Sequence, residues 1–271
     1  MAAFARFRRL WMGPLSVAVL VLIVLFSFAG PLVVPHDPNA IDVIDAFALP
    51  SREHPLGTDE LGRDVLARLM VGGRITLQVG FVAMLVALVI GTAVGLLSGF
   101  FGGWLEYLMM RVTDMFMAVP AFFVMLAILT FFPPSLVTLV VAIGITSWMN
   151  VARVVRSEVL RITRLEYLES GRALGAGTSR LILRHVLPNA APTVIVAATL
   201  GVAWAILVAT SLSYLGIGVQ PPTASWGNML TSSQNYFWIS PLLVLWPGLL
   251  IVVTILAVYF LGEALKEALQ P

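Results

Sequence analysis

Hydrophobic residues along the chain gather into six long runs, at about 13–34, 75–101, 109–132, 135–152, 192–217 and 239–262. Each is close to or above the roughly 17–25 residues needed to cross about 30 Å of hydrocarbon at 1.5 Å per residue. The pattern predicts six spanning helices. The run at 135–152 is the shortest and follows Pro133-Pro134, which must make a tight turn at one membrane face. Between the fourth and fifth runs lies a charged island, residues 163–190. Thr163-Arg-Leu-Glu166 has the form of a capping box that would start a helix. That helix would stop at Gly175, where glycine accepts the left-handed conformation, with Gly177 as a second loose point. Thr178 or Ser179 would cap a second short helix, RLILRHVL, ending before Pro188-Asn189. The expected local structure is two short helices meeting at a protruding glycine elbow.

Composition makes lipid part of the solvent. Hydrophobic residues are 59% of 271 and charged residues 11%, against about 25% charged in an ordinary soluble domain. The fold class that follows is an all-α polytopic membrane protein with six transmembrane helices. The net charge of +2 says little, but its distribution says more. Arg6, Arg8 and Arg9 precede the first run, whose length and Gly30-Pro31 ending suit an uncleaved anchor better than a signal peptide. The whole stretch between the fourth and fifth runs carries Arg153, Arg156, Arg161, Arg164, Arg172, Arg180 and Arg184 against Glu158, Glu166 and Glu169. The segment after the first run leans acidic through Asp37, Asp42, Asp45, Glu53, Asp59, Glu60 and Asp64, and residues 218–238 carry no charge. Both asymmetries put the termini and the island in the cytoplasm. Three regions are expected: an N-terminal anchor and extracytoplasmic segment (1–70), a membrane core (71–262) and a cytoplasmic tail (263–271).

Several chemistries are disfavoured. There is no cysteine, hence no disulfide, thiol nucleophile or cysteine metal site. There is no GxxxxGK[ST] loop and the single lysine is Lys266, so nucleotide phosphates would have to be held by another subunit. His36, His54 and His185 are scattered outside the spans, and no span offers a base beside a serine. The eleven methionines suit helix packing better than metal ligation. Arg111 and Asp114, three residues apart, are expected to pair near the cytoplasmic face, close to Glu106. Asp59, Glu60, Arg63 and Asp64 are expected to form a self-paired elbow outside. Gly91, Gly95 and Gly99 share one helix face and permit close helix contact. Trp226, Tyr236, Phe237 and Trp238 are expected as interfacial anchors. The island itself leaves two readings: a docking surface for a soluble partner, or an amphipathic pair lying on lipid phosphates.

Two motifs favour the first. Glu169-Ser170-Gly171, Gly175 and Leu187-Pro188 resemble the "EAA…G…LP" loop of ABC importer permeases, with Ser170 and Gly171 at the two alanine positions. His185, in an Arg-His-x-Leu-Pro-Asn setting, is similar to the peptide/nickel branch of that family. The stretch His54–Asp64 (HPLGTDELGRD), followed by Gly72–Leu77 (GGRITL), closely resembles the segment ahead of span two in one of the two permease subunits of that branch. Further similarity at Gly99–Trp104, Pro120, Trp148 and Pro221–Trp226 extends the likeness over most of residues 10–262.

The resemblance implies a bacterial inner-membrane permease subunit importing di- or oligopeptides, with nickel, opines or glutathione as alternative cargo. It implies a second, different permease, two ATPases and an extracytoplasmic binding protein as partners, besides the lipid bilayer, and no nucleic acid. No cofactor would sit on this chain; ATP and Mg would belong to the ATPases. The ATPase contact would be made by Glu166, Glu169, Ser170, Gly171, Arg172, Ala173, Leu174, Gly175, Ala176, His185, Leu187 and Pro188.

Overall fold

The computed structural model describes Phe7 and residues 11–34 and 36–269. Arg6, Arg8, Arg9 and the Arg172 side chain lie outside the described residues. The architecture is all-helical: α1 (Met12–Phe28), α2 (Val65–Phe101), α3 (Gly103–Ala118), α4 (Ala121–Phe131), α5 (Leu136–Thr163), α6 (Glu166–Ala173), α7 (Thr178–Tyr214), α8 (Trp226–Ser233) and α9 (Leu242–Leu269). Of these, α2, α5, α7 and α9 are each long and apolar enough to cross a membrane. The bent pair α3/α4 would make a fifth crossing, and α1 is an apolar helix of 17 residues.

The predicted run at 109–132 is thus broken in two. Pro120 cannot donate to an upstream carbonyl, and the residue before it, Val119, is pushed to extended geometry (φ −92°, ψ 126°), so α3 and α4 meet at 76°. The second run starts ten residues earlier than predicted. Asp64 caps α2 by accepting from the Ala67 N–H at 2.7 Å, and Val65 and Leu69 are buried beside Trp226. The fourth run continues to Thr163 because Val155, Val159 and Ile162 keep a buried face on the core.

The centre of the bundle is the seam between α2 and α5, and glycine makes it. A Cβ on Gly91 would lie 2.6 Å from the Trp148 carbonyl oxygen, one on Gly95 2.6 Å from that of Ala152, and one on Gly99 3.0 Å from that of Arg156. The expected glycine face is there, and it lets the two backbones meet directly. Around the seam a single cluster of buried side chains runs from Val79 to Ile162 and on to Leu168, Leu181 and Val186. Seam and charged island therefore share one packed body.

The segment before α2 is held by charge. Asp59 accepts from the Arg63 Nε at 2.7 Å and lies 3.3 Å from the Arg68 Nε, Glu60 accepts from Arg63, and His54 Nδ1 sits 2.9 Å from Asp64. Trp226 departs from expectation: it is fully buried, and its indole N–H donates to the Leu69 carbonyl at 2.9 Å. Trp238, 91% exposed, remains at the surface.

Candidate partner-docking surface

The island is built differently at both ends from the pattern its sequence suggests. Thr163 is the last residue of α5 rather than a cap for α6. Its hydroxyl donates back to the Leu160 carbonyl at 3.0 Å, because burial of Val159 and Ile162 carries helical geometry through it. Thr178 and Ser179 do not cap either: Gly177 occupies the N-cap, in extended conformation and without a side-chain bond. Nor does the second helix end before Pro188. A wide turn at Ile182–Val186, closed by the Leu187 N–H to the Ile182 carbonyl, leads directly into the rest of α7. That turn makes room for Pro188, which lacks an N–H and would clash with the carbonyl four residues back in a regular α-helix. The Asn189 amide donates to the His185 carbonyl at 2.6 Å. The island is one short helix, an elbow, and the first turns of a 37-residue helix.

The elbow itself is as expected. Gly175 has φ +77°, and the Ala176 N–H bonds the Gly171 carbonyl at 3.0 Å, the six-to-one closure of a helix ending in a left-handed residue. A Cβ on Gly175 would meet nothing within 4 Å, so the elbow stands free of the rest of the chain. Beside it Leu174 is 88% exposed.

What holds the elbow in place is Leu168, fully buried in the cluster that also contains Ile162, Leu181 and Val186. A Cβ on Gly171 would come 3.2 Å from the Leu181 side chain, so α6 lies close on the start of α7. Glu166, Glu169, Ser170 and Ala173 face outward, Ala176 is half-buried, and Arg172 contributes its backbone to α6. His185 and Leu187 are half-buried and Pro188 exposed; the His185 ring lies 6.3 Å from that of Tyr167, so the wide turn and α6 are neighbours. All the predicted island residues thus fall on α6, the elbow or the opening of α7.

Three exposed apolar side chains on this surface were not among the expected contacts: Leu165 just before α6, Tyr167 on α6 and Leu183 in the wide turn. Their signal was there: Tyr167 adjoins the buried Leu168 and Leu183 lies two residues from the buried Leu181, each off the inward face. The surface is therefore an apolar tip with carboxylates and arginines around it. No group of three or more His, Asp or Glu that could hold a metal occurs among the described residues.

Ionic contacts on the same side of the bundle differ from expectation. Asp114 pairs with Arg153 of α5 at 2.6 Å rather than with Arg111, whose guanidinium lies 5.1 Å over the Tyr107 ring. Glu106 accepts from the Arg156 Nε at 2.8 Å and pairs with its Nη2 as well. Partners 39 and 50 residues away win over the local one because α5 runs alongside α3 there.

Residues 91–271 match the family described as binding-protein-dependent transport system inner membrane component, and residues 2–50 match the N-terminal transmembrane domain of oligopeptide transport permease C. The chain belongs to this permease family. It is 37% identical to the oligopeptide transport system permease protein OppC of Bacillus subtilis, over 99% of this chain and 88% of that one. It is 35% identical to the nickel transport system permease protein NikC of Escherichia coli K12, over 96% and 94%. It is also 35% identical to the glutathione transport system permease protein GsiD of Pectobacterium atrosepticum, over 98% and 89%. Its fold is similar to a chain of the methionine ABC transporter MetNI, with a TM-score of 0.63, 19% identity and coverage of 75% of this chain and 97% of that one. As an ABC importer permease, the chain is a multi-pass inner-membrane subunit that works with an ATPase and a substrate-binding protein.

Proposed function

We propose that this chain is one of two different permease subunits of an importer for di- or oligopeptides, and that the Leu174–Gly175 elbow is where an ATPase holds it. On this reading α1, α2, the bent α3/α4, α5, α7 and α9 make six crossings. Both termini and the island are cytoplasmic. Residues 1–70 form the anchor and outer segment, 71–262 the core and 263–271 the tail. The chain binds no nucleotide or cofactor itself; ATP and Mg sit on two ATPase subunits.

The observation that carries the docking reading is an elbow that is open all round yet anchored by the fully buried Leu168. Movement of a partner gripping Leu174 would pass through Leu168 to the ends of α5 and α7, and across the glycine seam to α2. Such a rigid path suits alternating access, in which closure of the ATPases tips the spans and hydrolysis resets them. Peptide cargo is supported by the match to the oligopeptide permease domain over residues 2–50. Nickel and glutathione remain a second reading because those relatives are nearly as similar.

The test pairs two substitutions in the whole complex. Gly175→Cys, in a chain without other cysteines, should crosslink to the ATPase. Glu169→Arg should uncouple hydrolysis from peptide uptake while leaving membrane insertion intact, although it would strengthen attraction to anionic lipid. Normal uptake by Glu169→Arg, with no crosslink at Gly175→Cys, would return the island to the lipid surface.

A further inference from the structure

Along α5, Leu139, Ile143, Thr146, Asn150, Arg153 and Ser157 follow one another at three- and four-residue steps and so form one row on the helix. The first three are buried and the last three are exposed. The change follows from the 76° bend. Before the bend is reached, α4 packs on α5 and its buried Met125 joins the core cluster; beyond it, α3 swings away and meets α5 through the Phe116–Trp148 ring contact and then the Asp114–Arg153 and Glu106–Arg156 ion pairs. At 1.5 Å per residue, Asn150 lies about 21 Å from the start of α5, within a hydrocarbon layer of about 30 Å, while Arg153 at about 26 Å and Ser157 at about 32 Å reach and pass its cytoplasmic edge.

A carboxamide at that depth is costly against lipid and marks instead a water-filled or protein-lined surface, and the half-exposed ion pair one turn further on continues that surface to the cytoplasmic face. Side chains of Arg153 and Asp114 are 48% and 47% exposed, so the pair is open on one side rather than sealed between helices. Hollows flank the row on both sides. One of about 400 Å³ is lined by Glu106, Tyr107, Arg111, Asp114 and Arg156. One of about 220 Å³, walled mostly by apolar Met84, Val151, Val154 and Trp204, has Asn150 at its edge and a Ser147 hydroxyl that is buried with no partner. The apolar outer face of α2, by contrast, exposes Phe81, Leu85 and Val89, as a lipid-facing helix does.

We infer that Asn150, Arg153 and Ser157 of α5, with Asp114 of α3, form this subunit's wall of the aqueous translocation path. This rests on the permease reading above and adds to it the residues of the path. Paired charges of both signs on a wet wall suit a zwitterionic cargo, because each terminus of a peptide finds an opposite charge without stranding a bare one.

The experiment uses the assembled importer in membranes and single cysteine substitutions in this cysteine-free chain. Asn150→Cys and Ser157→Cys should react with a charged, membrane-impermeant methanethiosulfonate about tenfold faster than Val89→Cys and than Val252→Cys on the exposed apolar face of α9, since thiolate forms in water and not in hydrocarbon. Trapping the ATPases closed should change the Asn150→Cys rate and leave the controls alone. Asn150→Cys as inert as Val89→Cys, in a complex that still transports, would overturn the wall. So would its crosslinking to the second permease while refusing the reagent. Rapid, state-dependent labelling in a complex that takes up no peptide would keep the wall and reject the cargo.

Discussion

Gly95→Ala tests whether the α2–α5 seam is as close as its geometry indicates. The added methyl carbon would lie 2.6 Å from the Ala152 carbonyl oxygen, 2.7 Å from the Val155 Cβ and 2.9 Å from the Arg156 backbone nitrogen. Two of those atoms are backbone, so no side chain can rotate aside, and α5 would have to retreat by about 1 Å to restore contacts near 3.5 Å. Two effects then oppose each other. Alanine in place of glycine favours a helix by about 1 kcal/mol, whereas overpacking a filled interface costs about 1–3 kcal/mol, and a backbone obstacle belongs at the upper end. The net expectation is a loss of about 2 kcal/mol. Gly248 in α9 is the control, since its nearest obstacle is the Leu230 Cδ2 at 4.0 Å; there the same substitution should be neutral or stabilise by up to about 1 kcal/mol. The seven tryptophans give an intrinsic fluorescence signal for thermal unfolding of the purified complex. Gly95→Ala should melt below the unsubstituted chain and Gly248→Ala at or above it. A Gly95→Ala protein that melts at or above the unsubstituted chain would refute the seam.

The cross-helix pair between Glu106 and Arg156 offers a charge-exchange test. Arg156→Glu sets two carboxylates together and should lower stability by about 1–3 kcal/mol, and adding Glu106→Arg should recover most of that loss; a double variant no better than the single would mean the pair is incidental. Glu60 supplies a pH test in the segment before α2. Burial first, then the neighbouring Asp59 carboxylate, holds the Glu60 carboxyl above its usual 4.5, and its Oε2 is buried with no partner. A raised carboxyl pKa means that the folded state binds the proton more tightly than the unfolded one, so this contribution is fully present below pH 4.5 and is lost as pH rises through the raised value. The melting temperature of Glu60→Gln relative to the unsubstituted complex should therefore climb with pH from 4.5 upward, and a pH-independent difference would refute the assignment.

The features legible in the sequence are those that a few consecutive residues decide. Gly175 is one: the chain must turn back after α6, only a left-handed residue closes the last carbonyls, and glycine adopts φ +77° at least cost. The glycine face of α2 is another, because four-residue spacing alone places Gly91, Gly95 and Gly99 together. Where the sequence misled, a distant partner outbid a sound local pattern. Thr163-Arg-Leu-Glu166 satisfies the capping-box rule, yet Val159 and Ile162 find a core to fill and carry the helix through the threonine. Arg111 and Asp114 suit each other at three residues' spacing, yet Asp114 turns to Arg153 once α5 lies beside it. Trp226 has the setting of an interfacial anchor until Leu69, 157 residues away, offers its carbonyl to the indole. The polar end of the α5 row belongs to the same class. Leu139, Ile143 and Thr146 differ from Asn150, Arg153 and Ser157 in polarity, but the span could not be seen to open there without the swing of α3 at Pro120. A proline between two helices thus determines which half of a third is dry, and on that division the assignment of the path depends.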